Sequence, residues 1–443
     1  MGAFQRTWSA RQKHETPVSI RLERLHTSGG VAMKRKHTIL LWIGIIAIFL
    51  VGCGGDISSE AEPSQPETID NQLALTLAVP LPSYYTDLSD VLDRSFTDQA
   101  SSFSVDGVSC EVTYVTYADL LGLQRLLLSD SPPDLILFSV NQYDADMPCE
   151  QTLRKRGYLL DLEPFVQNDA SLAARPFLSS YYEAMYKSND GLYTLSYQFY
   201  LRTLNGASDQ LGSESGWSME MFLDRAAELT SETKYMLPYG PTSALNALIQ
   251  ADLYDFVDLE SGTCSFDSDK FERLLVFCKS NDGTGNSPAV LTPMTIFRGL
   301  NELVPDGSRV YIGYPGVSGN GALLETGDTL GICSLSSEKD LAWEFIKSYL
   351  SVEYQRDNTG PFWPVIQSDF EYCLQKREDS DAQKELVRDL IYNADTRSLM
   401  YHPIVEIVNE EAASFFNGDK PSDQVIKTIQ SRAEIYLAEN SDS

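Results

Sequence analysis

The residues of this chain best placed for chemistry are aromatics and an amide set where loops break the pattern. Tyr84 follows the first apolar run, and Asn141 with Tyr143 follows the third. Tyr200 stands beside Tyr197 and Phe199, Tyr314 lies in Gly313-Tyr314-Pro315-Gly316, Trp363 lies in Gly360-Pro361-Phe362-Trp363-Pro364, and Tyr401 follows near the C-terminus. Flat apolar rings stack on the CH faces of pyranoses, and planar polar groups pair with hydroxyls in a partly dry cleft. An aromatic in a Gly/Pro loop is freer of core duty than one on an amphipathic face. Trp363, Tyr84, Asn141, Tyr200, Tyr314 and Tyr401 are therefore the expected ligand contacts. Trp217 and Trp343 sit on helical faces and are expected to pack.

Catalysis has thinner support. His402 is the single histidine beyond position 53, which excludes a multi-histidine metal site and leaves one candidate for a Ser-His-Asp arrangement. Neither a nucleophile elbow nor a phosphate-binding loop occurs. Carboxylates are abundant enough that a glycosidase pair is not excluded by counting. The chain reads as a non-enzyme without cofactor or metal, with a carboxylate-dependent glycan hydrolase as the lesser alternative. The acidic run Asp252 to Glu260 reads as a solvated face, the alternative being an acidic cleft for a cationic ligand.

Cys53 carries a different chemistry. Met33-Lys34-Arg35-Lys36-His37 is followed by thirteen mostly apolar residues, Ile39 to Val51, and then by Gly52-Cys53. This is the order of a bacterial lipoprotein signal, and the apolar run is short of the roughly 20 residues that a membrane span needs. Cleavage would leave Cys53 as the lipidated N-terminus, and two acyl chains suffice for stable residence at a membrane. Residues 1–32 read as an over-extended frame, 33–52 as the signal peptide and 53–72 as the lipidated tether. The nineteen residues Gly54 to Gln72 are polar and would span on the order of 25 Å.

Charge narrows the partners. Eight Lys/Arg and two Asp/Glu precede Cys53, which leaves 26 basic and 61 acidic residues and a net charge of −35. Such a field repels phosphate backbones and anionic headgroups, so nucleic-acid binding is not expected and membrane attachment falls to the lipid. The six cysteines beyond Cys53 show no C-x-x-C spacing. Cys264 and Cys278 are the closest pair for a disulfide, and free buried thiols are the default.

The elements that must position these residues begin at Leu73 to Val79, a near-continuous apolar run typical of a strand buried on both faces. The pattern then predicts a helix over 85–101, a strand over 111–117, a leucine-rich helix over 120–128 and a strand over 135–138. This alternation predicts a parallel α/β sheet, whose ligands sit beyond the carboxyl ends of its strands. Further helices are predicted over 218–230, over 341–350 behind a variant capping box at Ser337 to Asp340, and after Pro421-Ser422-Asp423. No linker divides the body, so two α/β lobes crossed more than once by the chain, and able to hinge, are expected.

Several segments in order resemble the family 1 extracellular solute-binding proteins, the sugar-type receptors of ATP-driven importers. They are Pro133 to Phe138, Gly157 to Phe165, Gly191 to Ser196, Trp217 to Thr230, Asp258 to Gly262 leading into Phe266 to Phe271, and Ala342 to Lys347. Ile407 to Gly418 with Ile429 to Arg432 is similar to the lipoprotein branch of that family. Ser196 departs from the family's frequent Leu-Pro pair at the first crossing. The resemblance implies a two-lobed periplasmic-binding-protein-like α/β fold with a hinge and an interlobe ligand cleft. Lobe 1 would comprise 73–198 and 329–365, and lobe 2 would comprise 199–328 and 366–443. It further implies a lipid-anchored monomer outside the cell membrane, on a Gram-positive surface, that delivers its ligand, a mono- or oligosaccharide, to the permease subunits of an ABC importer. Presentation of ligand to a sensor kinase and adhesion to glycans are the alternatives for the same fold.

Overall fold

The apolar run at 73–80 does form a buried strand. The computed structural model describes residues 73–139, 149–229, 235–281, 283, 289–299, 303–316, 320–394, 396–399 and 402–440. These all fall within one unit, Ile69–Ser443. Cys53 and its tether, Asn141, Tyr143 and Tyr401 lie outside the described residues.

In chain order the main strands are β1 (Leu73–Pro80), β2 (Val108–Tyr117), β3 (Leu135–Phe138), β4 (Leu195–Ser196) and β5 (Gln198–Ala207). They continue as β6 (Thr292–Ile296), β7 (Arg309–Tyr311), β8 (Leu323–Thr326), β9 (Thr329–Ile332), β10 (Trp363–Pro364) and β11 (Thr396–Arg397). The first sheet runs β2-β1-β3-β9-β4, with the short strand Ser104–Val105 at its edge. Here β1 is parallel to both β2 and β3, as the alternation of strands and helices requires, while β9 returns antiparallel to β3 and β4. The second sheet is built around β5, which pairs antiparallel with β6, β7, β8 and β10, and β11 joins β8 in parallel.

Helices cover both sheets. Those used below are α1 (Arg94–Ser101), α2 (Leu120–Leu127), α3 (Glu150–Lys155), α4 (Ser179–Asn189), α5 (Met219–Leu229), α6 (Pro241–Ile249), α7 (Asp269–Ser280), α8 (Lys339–Ser348), α9 (Gln367–Gln375), α10 (Asp381–Tyr392), α11 (Pro403–Phe416) and α12 (Ser422–Asn440). One core joins the inward faces of both sheets, with Leu75, Leu77 and Leu137 meeting Phe199, Leu201, Leu324 and Trp363 through Tyr181, Tyr349 and Phe370. A second lies on the outer face of the second sheet, where Leu204 and Leu323 pack against Phe222, Leu245, Leu274, Ile404 and Ile429. A third holds Ala78, Ile136 and Phe138 against Leu123, Leu127 and Leu153.

Local chemistry redraws some predicted boundaries. The helix expected over 85–101 is a single 3-10 turn at Leu88–Asp90 followed by α1. Asp87 and Asp93 each cap a fresh start by accepting backbone N–H groups, and carboxylates at such spacing stop one helix in order to begin another. The capping box expected at Ser337 to Asp340 does not form. Glu338 occupies the cap position without a side-chain cap, because Ser336 Oγ takes the Glu338 N–H and donates to Asp134 Oδ1. A full capping box lies instead at Ser380 and Gln383, at the start of α10. All six cysteines within the described residues are free thiols, Cys264 and Cys278 included.

Candidate functional site

Among the described residues the chain passes between the sheets three times: at Tyr197, at Gly327-Asp328, and through the segment from Tyr349 to Trp363, which contains one π-helical turn at Tyr354–Asn358. Gln355, fully buried, ties two of these together. Its Nε2 donates to the carbonyls of Tyr197 and Tyr349, and its Oε1 accepts from Val365 N. The Gly327-Asp328 crossing touches the Tyr197 crossing directly. Gly327 N donates to Gln198 O at 3.1 Å, and a Cβ on Gly327 would lie 2.7 Å from the Gln198 amide, so a larger residue there would displace the Gln198 side chain. Tyr181 Oη donates to Ser196 O and accepts from Ser196 N, fixing the end of β4. Burial, reinforced by the charge of Asp328, pushes the Tyr197 phenol well above its ordinary range, so it stays neutral.

Beside these crossings the second sheet presents an aromatic shelf. Tyr200 of β5, Phe297 just past β6 and Phe362 just before β10 converge with ring centroids 5.0, 5.8 and 5.9 Å apart. Each is only half-buried. The period of two puts Tyr200 and Arg202 on one face of β5, and the antiparallel register sets Glu325 opposite Tyr200. Arg202 donates to Glu325 Oε1 at 2.9 Å, to Gln250 Oε1 at 3.2 Å and to Tyr314 Oη at 3.1 Å, and its guanidinium lies 5.3 Å from the centre of the Tyr314 ring. Burial works against the charge of Arg202, but Tyr314 and Glu325 more than compensate and its pKa is raised. Half-buried rings next to fixed polar groups are what hydroxylated ligands require.

The structure places the sequence-predicted contacts unequally. Tyr200 is in the shelf, and Tyr314 is joined to it through Arg202. Tyr314 is nevertheless buried to 1% exposure, its hydroxyl engaged by Arg202. Trp363 is fully buried: its indole N–H donates to Ile296 O at 3.2 Å and its ring packs edge-on against Phe370. In this conformation neither has a face free for a ligand: strand pairing with Phe199 turns the Trp363 indole into the shared core, and Tyr314 lies in the outer core against Arg202. Tyr84, half-exposed in the loop after β1, has its ring 4.7 Å from that of Tyr85. Trp217 and Trp343 are both buried.

Phe297, Phe362, Arg202, Glu325 and Gln250 were not singled out from the sequence. Phe362 sits in the same Gly/Pro loop as Trp363, and the choice between neighbours depends on strand parity, which sequence left open. The acidic run also needs correction. Asp255 and Asp258 are exposed, but Asp252 is buried, with Leu253, Phe256 and Val257, because the run caps the outer core rather than forming an open face.

No family model matches the chain, and no curated protein matches it in sequence. Solved structures match it in fold. One is the sugar-binding protein MalE from the phytopathogen Xanthomonas citri, at 14% identity and a TM-score of 0.52, covering 83% of this chain and 98% of that one. A second is the cyclic α-maltosyl-1,6-maltose binding protein from Arthrobacter globiformis, at 11% identity and 0.51, covering 83% and 100%. A third is an ABC substrate-binding protein from Listeria monocytogenes in complex with cycloalternan, at 12% identity and 0.50, again covering 83% and 100%. The chain thus has the two-lobed α/β fold of these binding proteins.

Proposed function

We propose that this protein captures a carbohydrate between its two lobes and presents the closed form to the permease of an ABC importer. The observation that carries the reading is the half-buried shelf Tyr200–Phe297–Phe362 beside the Arg202–Glu325 pair, set at the crossings of this fold. Two proteins of the same fold bind cyclic α-maltosyl-1,6-maltose and cycloalternan, which makes these the first ligands to try. Cys53 would hold the body at the outer face of the membrane through lipid, and the permease would supply ATP hydrolysis through a separate subunit. A permease that engages both lobes distinguishes loaded from empty receptor only through differential affinity of ligand for the closed state.

A thermal-shift screen of residues 69–443 against mono- and oligosaccharides, with both cyclic compounds in the panel and polyamines and amino acids as controls, tests the reading. A native-state ligand at a hundredfold excess over its Kd adds about 2.7 kcal/mol. A saccharide shift that is lost in Phe362→Ala is the expected result; a shift by polyamines or amino acids alone would end the sugar assignment.

A further inference from the structure

Glu150 and Arg397 form a buried ion pair that joins the two sheets beside one of the crossings. Glu150 opens α3, which is seated on the first sheet through Leu153, and Arg397 ends β11 at the edge of the second. Arg397 Nη1 and Nη2 donate to the two carboxylate oxygens at 2.6 and 2.9 Å, and the side chains are 13% and 8% exposed. Paired, planar donation of this kind is geometrically specific as well as strong. Each partner is tied to its own side. Thr329 Oγ1 and Asn189 Nδ2 donate to Glu150 at 2.5 and 2.9 Å, and Arg397 Nε donates to Thr326 Oγ1 at 3.2 Å.

Thr326 and Thr329 flank the Gly327-Asp328 crossing, so the pair lies directly beside it. Strand order supports the same placement. On the first sheet β3 is the neighbour of β9, and on the second β11 is the neighbour of β8, so the pair occupies the lane next to the β8-to-β9 crossing. Burial opposes the Glu150 charge, but Arg397 and the three hydrogen bonds hold the carboxyl down at about 2. Further links run from the same helix to α12: Thr152 Oγ1 to Tyr436 Oη at 3.1 Å, Cys149 Sγ to Tyr436 Oη at 3.6 Å and Arg156 Nη2 to Asn440 Oδ1 at 3.2 Å.

We propose that the Glu150–Arg397 pair is a charged side-chain connection across the hinge, a strap that restricts the lobes to one axis of motion. The shared core, the backbone crossings and the neutral hydrogen bonds to α12 already join the two sides, and a paired guanidinium–carboxylate contact of fixed geometry adds resistance to twist. A strap at the flank removes the twist in the empty protein, so less freedom is lost on capture. The proposal rests on the hinged, ligand-closing reading of the fold.

The test is single-molecule energy transfer in the ligand-free full-length protein, with dyes at Asp98 on α1 and Lys427 on α12, both exposed. Arg397→Met alone strands a buried carboxylate and threatens folding, so the decisive variant is Glu150→Gln with Arg397→Met, measured alongside its Tm. A distance distribution broader than wild type, recorded at a temperature where both proteins are folded, supports the strap. A distribution identical to wild type overturns it. No sugar enters the measurement, so a failed ligand screen and a failed strap are told apart.

Discussion

Asp252→Asn is expected to stabilise the protein, and increasingly so as pH rises. Asp252 follows α6 with 4% exposure, and its Oδ2 has no hydrogen-bond partner. Its carboxyl presses on Gly316, where a Cβ would come within 2.1 Å of it and where φ is +85°. Burial, followed by the charge of Asp255, pushes the carboxyl from 3.8 up to about 8, against the opposing pull of Lys270. The native chain therefore keeps a proton that the unfolded chain releases, and wild-type stability falls as pH rises from about 4 to about 8. Asparagine copies the protonated form and removes that slope. The gap between variant and wild type should widen by about 1.4 kcal/mol per pH unit and reach on the order of 4 kcal/mol by pH 7. Urea unfolding of both proteins at unit steps between about pH 4.5 and 7.5 measures it. A gap that does not change with pH would refute the reasoning.

Three further substitutions test a buried imidazole and the division of the 360–364 loop between core and shelf. His402 is buried, its Nδ1 accepts from Ile404 N, and burial lowers its pKa from 6.5 to about 4. The unfolded chain binds a proton that the native chain refuses, so stability is lost as pH falls from 6.5 toward 4; His402→Asn keeps a cap acceptor and should remove up to about 3 kcal/mol of that loss in urea titrations. Trp363→Ala should cost about 3–5 kcal/mol and lower Tm sharply, whereas Phe362→Ala, at a half-buried position, should lower Tm far less; equal losses in thermal scans would contradict the assignment of Trp363 to the core.

Much of the fold could be read in advance where burial on both faces wrote an unbroken apolar run. Leu73 to Val79 and Leu135 to Phe138 became central parallel strands, and the apolar stripes at 219–229 and 422–440 became helices. Boundaries failed where single polar side chains decide them, as at Asp87, Asp93 and Ser336. The site was legible only as a region. The Gly/Pro loop at 360–364 was found, but which of two adjacent aromatics faces the core depends on the pairing of Trp363 with Phe199. Phe297 and Arg202 reach Tyr200 and Tyr314 through strands far apart in sequence, and no local pattern announces such a meeting. The strap is less visible still, since Glu150 and Arg397 are separated by most of the body and each looks like a surface charge on its own element.

The most direct test of the central claim is a crystal structure of residues 69–443 grown with the saccharide that gives the strongest thermal shift. The account predicts sugar density stacked on Tyr200 and Phe362 and within hydrogen-bond reach of the Arg202–Glu325 group. Density elsewhere, with the shelf bare, would contradict it.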